Sequence, residues 1–217
     1  MSLAMFDLDN TLLGGDSDHA WGEFVFEQGI VDGKQFQQQN DLFYQQYQQG
    51  QLDIDAYLNF SLSPLKDRDP KLLEQWHQQF MTTKITPMLL PKAQQLLKKH
   101  RNQGDYLLII TSTNSFVTKP IARFLGVDAI LASECEIIDG RYTGAPSGIA
   151  CFQEGKVMRL NSWMKDNNQC IKDAYFYSDS YNDLPLLKIV DNPVAVDPDQ
   201  TLEAIAIDKG WPILSLR

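Results

Sequence analysis

The 217-residue sequence predicts an α/β protein, a Rossmann-like doubly wound parallel sheet with a helical cap inserted near its start. Short apolar runs at 3–6 (LAMF), 105–112 (DYLLIITS), 129–133 (AILAS) and 174–178 (AYFYS) alternate with stretches of helical periodicity, the pattern of parallel strands joined by helices. The longest of these runs is apolar almost throughout rather than alternating, which suits a strand covered on both faces. Residues 16–85, in contrast, carry helical patterns and no strand pattern. The expected division is therefore a core of 1–15 and 86–217 and a cap of 16–85. A hydrophobic content of 43% is enough for one good core with an appendage.

Leu3 to Phe6 read as a buried strand, and Met1 to Leu3 are also compatible with a vector-derived remnant. Residues two apart leave a strand on the same face, so Asp7 and Asp9 share its mouth. The Gly14-Gly15 pair allows positive φ and is expected to act as a hinge. Asp16 or Asp18 caps a helix carrying Trp21, Phe24 and Val25, which Gly29 ends. Phe36, Phe43, Tyr44 and Tyr47 fall near helical spacing, and the surrounding glutamines form a solvated face. Asp69-Pro70 opens a helix with Leu72, Leu73, Trp76 and Phe80 on one side. These aromatic stripes read as packing.

Pro91 starts a helix with Ala93, Leu96 and Leu97 inward and Gly104 as its stop. The next strand has Thr111 at its carboxyl end, followed by the helix NSFVTKPIARFLG and the strand AILAS. Asp139-Gly140 marks a hairpin turn. A helix with Val157, Leu160 and Trp163 inward carries Lys156 near its start. AYFYS ends beside Asp179, NDLPLLKIV is a helix, NPVAV a strand, and TLEAIAIDKG a terminal helix. Sites in such sheets lie beyond the carboxyl ends of the strands, where Asp7, Thr111 and Asp179 all fall.

FDLDNTLL, the hydroxyl of LLIITSTN, the lysine of EGKVMRL and the acidic pair of YFYSDSYNDLPLL occur in that order. Together they resemble the four motifs of the haloacid dehalogenase superfamily, in its phosphoserine phosphatase-like and histidinol-phosphatase-like branch (subfamily IB). The resemblance runs from about residue 3 to about residue 195, with Ser178 standing where a glycine is common. It implies a phosphatase in which Asp7 attacks phosphorus, Asp9 protonates the leaving oxygen, and Lys156 and Thr111 bind the phosphoryl group, with Ser112 beside them as a further donor. It also implies Mg2+ as cofactor, held by Asp7, Asp179 and the backbone carbonyl of Asp9. All-oxygen ligands favour Mg2+ over zinc. Asp183 is expected to buttress Lys156 or the waters of the cation, with helix capping beside Asn182 as its structural alternative.

The cap position, between the first two motifs, implies a small phosphorylated metabolite as substrate. Asp16 matches the acidic residue that receives the substrate ammonium in phosphoserine phosphatases. Arg68 is the only arginine within 16–85 and sits late in it, so carboxylate recognition is poorly supported. The expectation is an amine-bearing ester, histidinol phosphate ahead of phosphoserine. Transfer to an acceptor other than water, as in a phosphotransferase or mutase, is the near alternative; a phospho-accepting receiver module, which is shorter and lacks a lid, is a remote one.

A net charge of −9 argues against tracking a nucleic-acid backbone. With no apolar run long enough to span a bilayer and no signal-peptide pattern, a soluble, cytoplasmic protein is expected. Cys135, Cys151 and Cys170 are odd in number and read as buried free thiols. His19, His77 and His100 lie outside all four motifs and read as surface or packing residues.

Overall fold

A computed structural model describes residues 2–31 and 33–217; of the suspected remnant, Met1 lies outside them. Seven strands form one sheet: β1 (Leu3–Phe6), β2 (Tyr106–Asn114), β3 (Ala129–Ile138), β4 (Arg141–Ser147), β5 (Tyr175–Ser178), β6 (Asn192–Val196) and β7 (Ile213–Leu214). Their order is β4-β3-β2-β1-β5-β6-β7. All neighbours are parallel except β3 and β4, whose hairpin turns at Asp139 and Gly140, both at positive φ as a two-residue turn of this kind requires.

Burial on both faces follows from the strand pleat. Leu3 and Met5 of β1 join Leu108 and Ile110 of β2 in one apolar cluster, while Ala4 and Phe6 join Leu107 and Ile109 in the other. The first cluster is closed by α7 (Glu154–Asp166), α8 (Leu184–Leu187) and α9 (Gln200–Lys209), the second by α1 (Ser17–Glu27), α4 (Pro70–Phe80), α5 (Pro91–Gln103) and α6 (Ser115–Leu125). Phe6 stacks on Tyr177 at 5.0 Å and meets His100 edge-on. Truncating so enclosed a ring costs roughly 3–5 kcal/mol.

The helices between β1 and α5 also include α2 (Lys34–Gln48) and α3 (Ile54–Leu62). Local signals set their starts: Asp16, Asp53 and Asp69 each accept backbone N–H bonds at an N-cap. Trp21 and Phe24 of α1 pack with Phe80 of α4 inside the cluster that holds Phe6. Phe43 of α2 packs on Tyr57 and Phe60 of α3. Among the described residues no helix is long and apolar enough to cross a membrane.

Several expectations need correction. The inward face of α4 is Leu73, His77 and Phe80, whereas Leu72 is 36% exposed, because spacings of four and three follow from Leu73 and leave Leu72 a step off the stripe. Gly14 and Gly15 are not at positive φ; a Cβ on them would meet Leu90 and Met88 at 3.1 Å, so they serve close packing. Of the cysteines only Cys151 is buried, with Cys170 exposed. The NDLPLLKIV helix shrinks to one turn, α8, after a tight turn at Tyr181–Asp183. β7 had no sequence signal beyond two residues.

Candidate active site

Asp7 stands one residue past β1, and its N–H still donates to the Tyr177 carbonyl of β5 at 2.9 Å. The central pairing thus carries this carboxylate to the mouth of the sheet. Lys156, 2% exposed, donates to Asp7 Oδ1 at 2.8 Å and to Asp183 at 2.7 and 2.8 Å. Ser178 Oγ donates to Asp183 Oδ2 at 2.7 Å. Asp183 therefore buttresses the lysine. Its capping alternative fails, since no side-chain cap bond forms at the start of α8 and Ser180 caps the preceding turn.

Backbone strain fixes the lysine. Gln153, at φ 47°, begins α7 in a region that non-glycine residues rarely occupy, and its Nε2 donates to Asn182 Oδ1. Gly155 follows, where a Cβ would fall 2.0 Å from the Ala150 carbonyl. Only glycine allows that turn to pack so tightly, and the turn delivers Lys156 inward.

Asp9 is held differently. Its Oδ1 accepts the Ser17 N–H at 2.6 Å and its Oδ2 the Thr113 hydroxyl at 2.7 Å, so its carboxylate is turned toward α1 and the end of β2. Asp179, just past β5, exchanges two hydrogen bonds with Thr11: the Thr11 hydroxyl donates to Oδ1 and accepts the Asp179 N–H, both at 3.1 Å. The Thr111 hydroxyl, buried, accepts the Thr113 N–H at 3.2 Å. Asn182 Nδ2 donates to the Tyr47 carbonyl of α2 at 3.2 Å, tying the helix layer to the sheet.

Beside these residues lies a chamber lined by Asp7 and Asp9 from the sheet, Asp16 and Asp18 from the start of α1, and the aromatic rings of Phe43, Tyr44, Tyr47 and Tyr57. Ser112 and Thr113 reach it, Thr111 does not, and no lysine or arginine lines it among the described residues. About 30 Å³ separates the walls, room for about two water molecules. Arg68 lies elsewhere, with its guanidinium over Trp76. His19 lines the chamber, stacked on Tyr44 and 2.9 Å from Asp41, and Tyr44 and Tyr47 face the cleft, so neither the histidine nor the aromatic stripe serves packing alone.

Burial shapes the electrostatics. It pushes Asp7 up to about 7 against the pull of Lys156, and Asp9 up to about 7 against its bonds to Ser17 and Thr113. Asp179 is raised well above the usual carboxylate range by burial, then by Asp7 and Asp183. Burial alone would depress Lys156, but Asp183 and Asp7 outweigh it and drive it upward. Burial, with Asp18 and Asp16 nearby, holds the Tyr57 phenol well above its ordinary value, so it stays a donor.

The residues fit a hard divalent cation. Lys156 meets Asp7 and Asp183, and the half-buried Asp179, whose pKa both of them raise, adds a third carboxylate with no lysine of its own among the described residues; the donors available are carboxylate and carbonyl oxygens. Among the described residues no three His, Cys, Asp or Glu side chains form a ready ligand cluster. The expected set needs only two, Asp7 and Asp179, with the Asp9 carbonyl, and the Asp9 carboxylate is already committed to Ser17 and Thr113.

Sequence reasoning missed Thr113 as the anchor of Asp9 and Thr11 as the anchor of Asp179. Thr11 had a signal, as the threonine of D-x-D-x-T. Asn40, Leu52, Ile54 and Tyr57 also line the chamber and had none.

Residues 4–188 match the model of the haloacid dehalogenase-like hydrolase family. A histidinol-phosphatase of Neisseria meningitidis serogroup C (strain 8013) is 44% identical over 220 residues, spanning 100% of this chain and 99% of the relative. A crystal structure of a protein with unknown function from Bordetella pertussis Tohama I superposes with a TM-score of 0.94 at 40% identity, covering 100% and 99% of the two chains. A substrate-bound phosphoserine phosphatase shares the fold, with a TM-score of 0.72 at 18% identity over 100% of this chain and 93% of its own.

Proposed function

Because the chain belongs to the haloacid dehalogenase-like hydrolases, we propose that it hydrolyses a small, amine-bearing phosphate monoester, histidinol phosphate before phosphoserine, through an aspartyl-phosphate on Asp7. The observation that carries this reading is the pairing of one buried lysine with Asp7 and Asp183 beneath a chamber with acidic and aromatic walls and, among the described residues, no lysine or arginine. Phosphate monoesters hydrolyse so slowly that accelerations of up to ~10²¹-fold are needed, and a covalent intermediate divides that barrier.

Lys156 occupies Oδ1 of Asp7, which leaves Oδ2 to attack phosphorus in line. The phosphoryl group passes to that oxygen, and the ester oxygen leaves with a proton from Asp9. A pKa near 7 suits Asp9 to give that proton and then to take one from the water that cleaves the intermediate. Ser17 and Thr113 fix its orientation. Lys156, beneath Asp7, and Ser112, which lines the chamber, receive the phosphoryl oxygens; one lysine contact at ~4 Å is worth on the order of 4 kcal/mol at an effective dielectric near 20. Thr111, buried and turned to the Thr113 N–H, supports this turn of chain. Asp7, Asp179 and the Asp9 carbonyl would hold Mg2+, which would supply positive charge to keep Asp7 ionised and to offset the phosphate.

Of residues 16–85, α2 and α3 act as the cap, whereas α1 and α4 belong to the layer that covers the sheet. The narrow chamber makes outward movement of α2 and α3 a condition of substrate entry, and closure then excludes water. Asp16 receives the substrate ammonium. The absence of a lining lysine or arginine among the described residues, with Arg68 committed elsewhere and His19 held by Asp41, disfavours a substrate carboxylate and sets phosphoserine second. The relative's name, histidinol-phosphatase, points the same way.

Turnover of histidinol phosphate, phosphoserine and simple alkyl phosphates, with Mg2+ and with chelator, tests the reading. It requires chelation to abolish hydrolysis and histidinol phosphate to exceed phosphoserine in kcat/KM by about tenfold or more, the scale of one lost polar contact. Preference for phosphoserine, or turnover indifferent to chelator, contradicts it. Product analysis with added alcohols separates hydrolysis from transfer.

A further inference from the structure

Asp18 lies two residues beyond Asp16, in the first turn of α1, where an acidic residue ordinarily serves the helix dipole. Its environment asks for more. It is 4% exposed, it lines the chamber, and its Oδ1 accepts the Asn114 amide at 3.2 Å. Its Oδ2 makes no hydrogen bond of full geometry among the described residues, with the Tyr57 phenol standing beside the carboxylate as its neighbouring donor. A buried carboxylate oxygen left unpaired is costly, and such groups persist where a ligand completes them. Asp16 differs: it is less buried, and its Oδ1 already caps α1 through the Asp18 and His19 N–H groups.

The surroundings define the ligand chemistry. Among the described residues no lysine or arginine lines the chamber, and the Tyr57 phenol falls short of a full hydrogen bond to Oδ2, which leaves room for a donor carried by a ligand. Tyr57 and Phe43 bound the same space, and aromatic faces suit a planar ring whose edge carries polar hydrogens. An alkyl ammonium can be received by Asp16 at the helix start, and Asp18 stands apart as an acceptor for a second donor.

We propose that Asp18 is a specificity residue whose Oδ2 accepts a second N–H of the substrate, borne on a planar heterocycle, in addition to the ammonium at Asp16. The site thus selects phosphate esters with two separate nitrogen donors. This rests on the amine-ester reading above and deepens it. A site built to pair with an N–H rejects an analogue without one, because its own acceptor is then buried unpaired.

The test compares histidinol phosphate with phenylalaninol phosphate, which keeps the amine and phosphate but replaces the ring N–H edge by C–H, on wild type and Asp18→Asn. Wild type is expected to favour histidinol phosphate by about ten- to a hundredfold in kcat/KM. In Asp18→Asn, which keeps an acceptor for Asn114 but turns a donor toward the ring, that ratio collapses to within about twofold, with the change in KM more than in kcat. Equal rates on the two esters in wild type overturn the proposal without any variant, so a variant that fails to fold does not shield it. An unchanged ratio in folded Asp18→Asn overturns it too and leaves Asp18 a structural residue. Absence of turnover on both esters, while phosphoserine or an alkyl phosphate is hydrolysed, instead overturns the amine-ester reading on which the proposal stands.

Discussion

The two ends of the cleft are built by opposite rules. At the sheet end the acidic groups have partners within the fold: Lys156 spans Asp7 and Asp183, Ser178 supports Asp183, Thr11 holds Asp179, and Ser17 and Thr113 hold Asp9. At the helix end Asp18 keeps one oxygen short of a full hydrogen bond among aromatic walls. The first arrangement is hydrogen-bonded within the fold before any substrate arrives, which is what preorganised electrostatic catalysis needs. The second is complete only with one. Changes at the sheet end should therefore slow every ester alike, and changes at the helix end should alter which ester is chosen.

The largest effect is expected from Asp7→Asn, which removes the nucleophile: kcat falls by roughly 10⁴-fold or more on all esters, measured on protein verified not to have deamidated. An equal loss from Asp183→Asn would blur the assignment of nucleophile and buttress. Lys156→Met comes next. It removes the phosphoryl contact and leaves two buried carboxylates unpaired, so kcat/KM drops by about 10²–10³-fold and stability by about 3 kcal/mol, read from turnover and chemical denaturation. Thr113→Val deletes one hydroxyl bond to Asp9 and should lower kcat by about tenfold for every ester. A selective effect on amine-bearing substrates would break the proposed contrast. Asp16→Asn should raise KM about tenfold for amine-bearing esters and little for alkyl phosphates; a parallel loss on both removes Asp16 from recognition.

The smallest effect lies outside the cleft. Burial lowers the pKa of His77, whose ring nitrogen meets the Val117 carbonyl at 3.0 Å. The unfolded chain therefore takes up the proton first. The stability linked to this histidine is full above its ordinary pKa of 6.5 and is lost as pH falls through the lowered folded value. The difference in melting temperature between wild type and His77→Gln should narrow as the pH drops through that range. A difference independent of pH would show that His77 contributes by packing alone.

What the sequence reveals divides along the same line. Asp7 and Asp179 are legible because each lies just past a strand end, where the two-residue period and parallel order fix its location; Thr111 is expected at such an end, but β2 runs on to Asn114 and it is Ser112 and Thr113 that reach the chamber. Lys156 and Asp183 are legible through motif order. The chamber walls are not, because a stripe such as Phe43, Tyr44 and Tyr47 records only that a helix buries one face, not what it faces. Leu72 and His77 show the same limit: hydrophobicity alone chose the wrong one as buried. Asp18 reads only as an alternative to Asp16 for the cap of α1, a place that Asp16 takes, and only its own hydrogen bonding sets it apart. Gly14 and Gly15 misled for a related reason, since composition does not distinguish a glycine needed for positive φ from one needed for close packing.

The most direct test of a phosphorylated Asp7 is chemical trapping: acid quench of the enzyme during turnover of histidinol phosphate, borohydride reduction of any acyl-phosphate, and peptide mass analysis. Reduction should convert residue 7, and no other aspartate, to homoserine, in an amount that depends on substrate. Homoserine at another position, or an unmodified Asp7 while turnover proceeds, would contradict it.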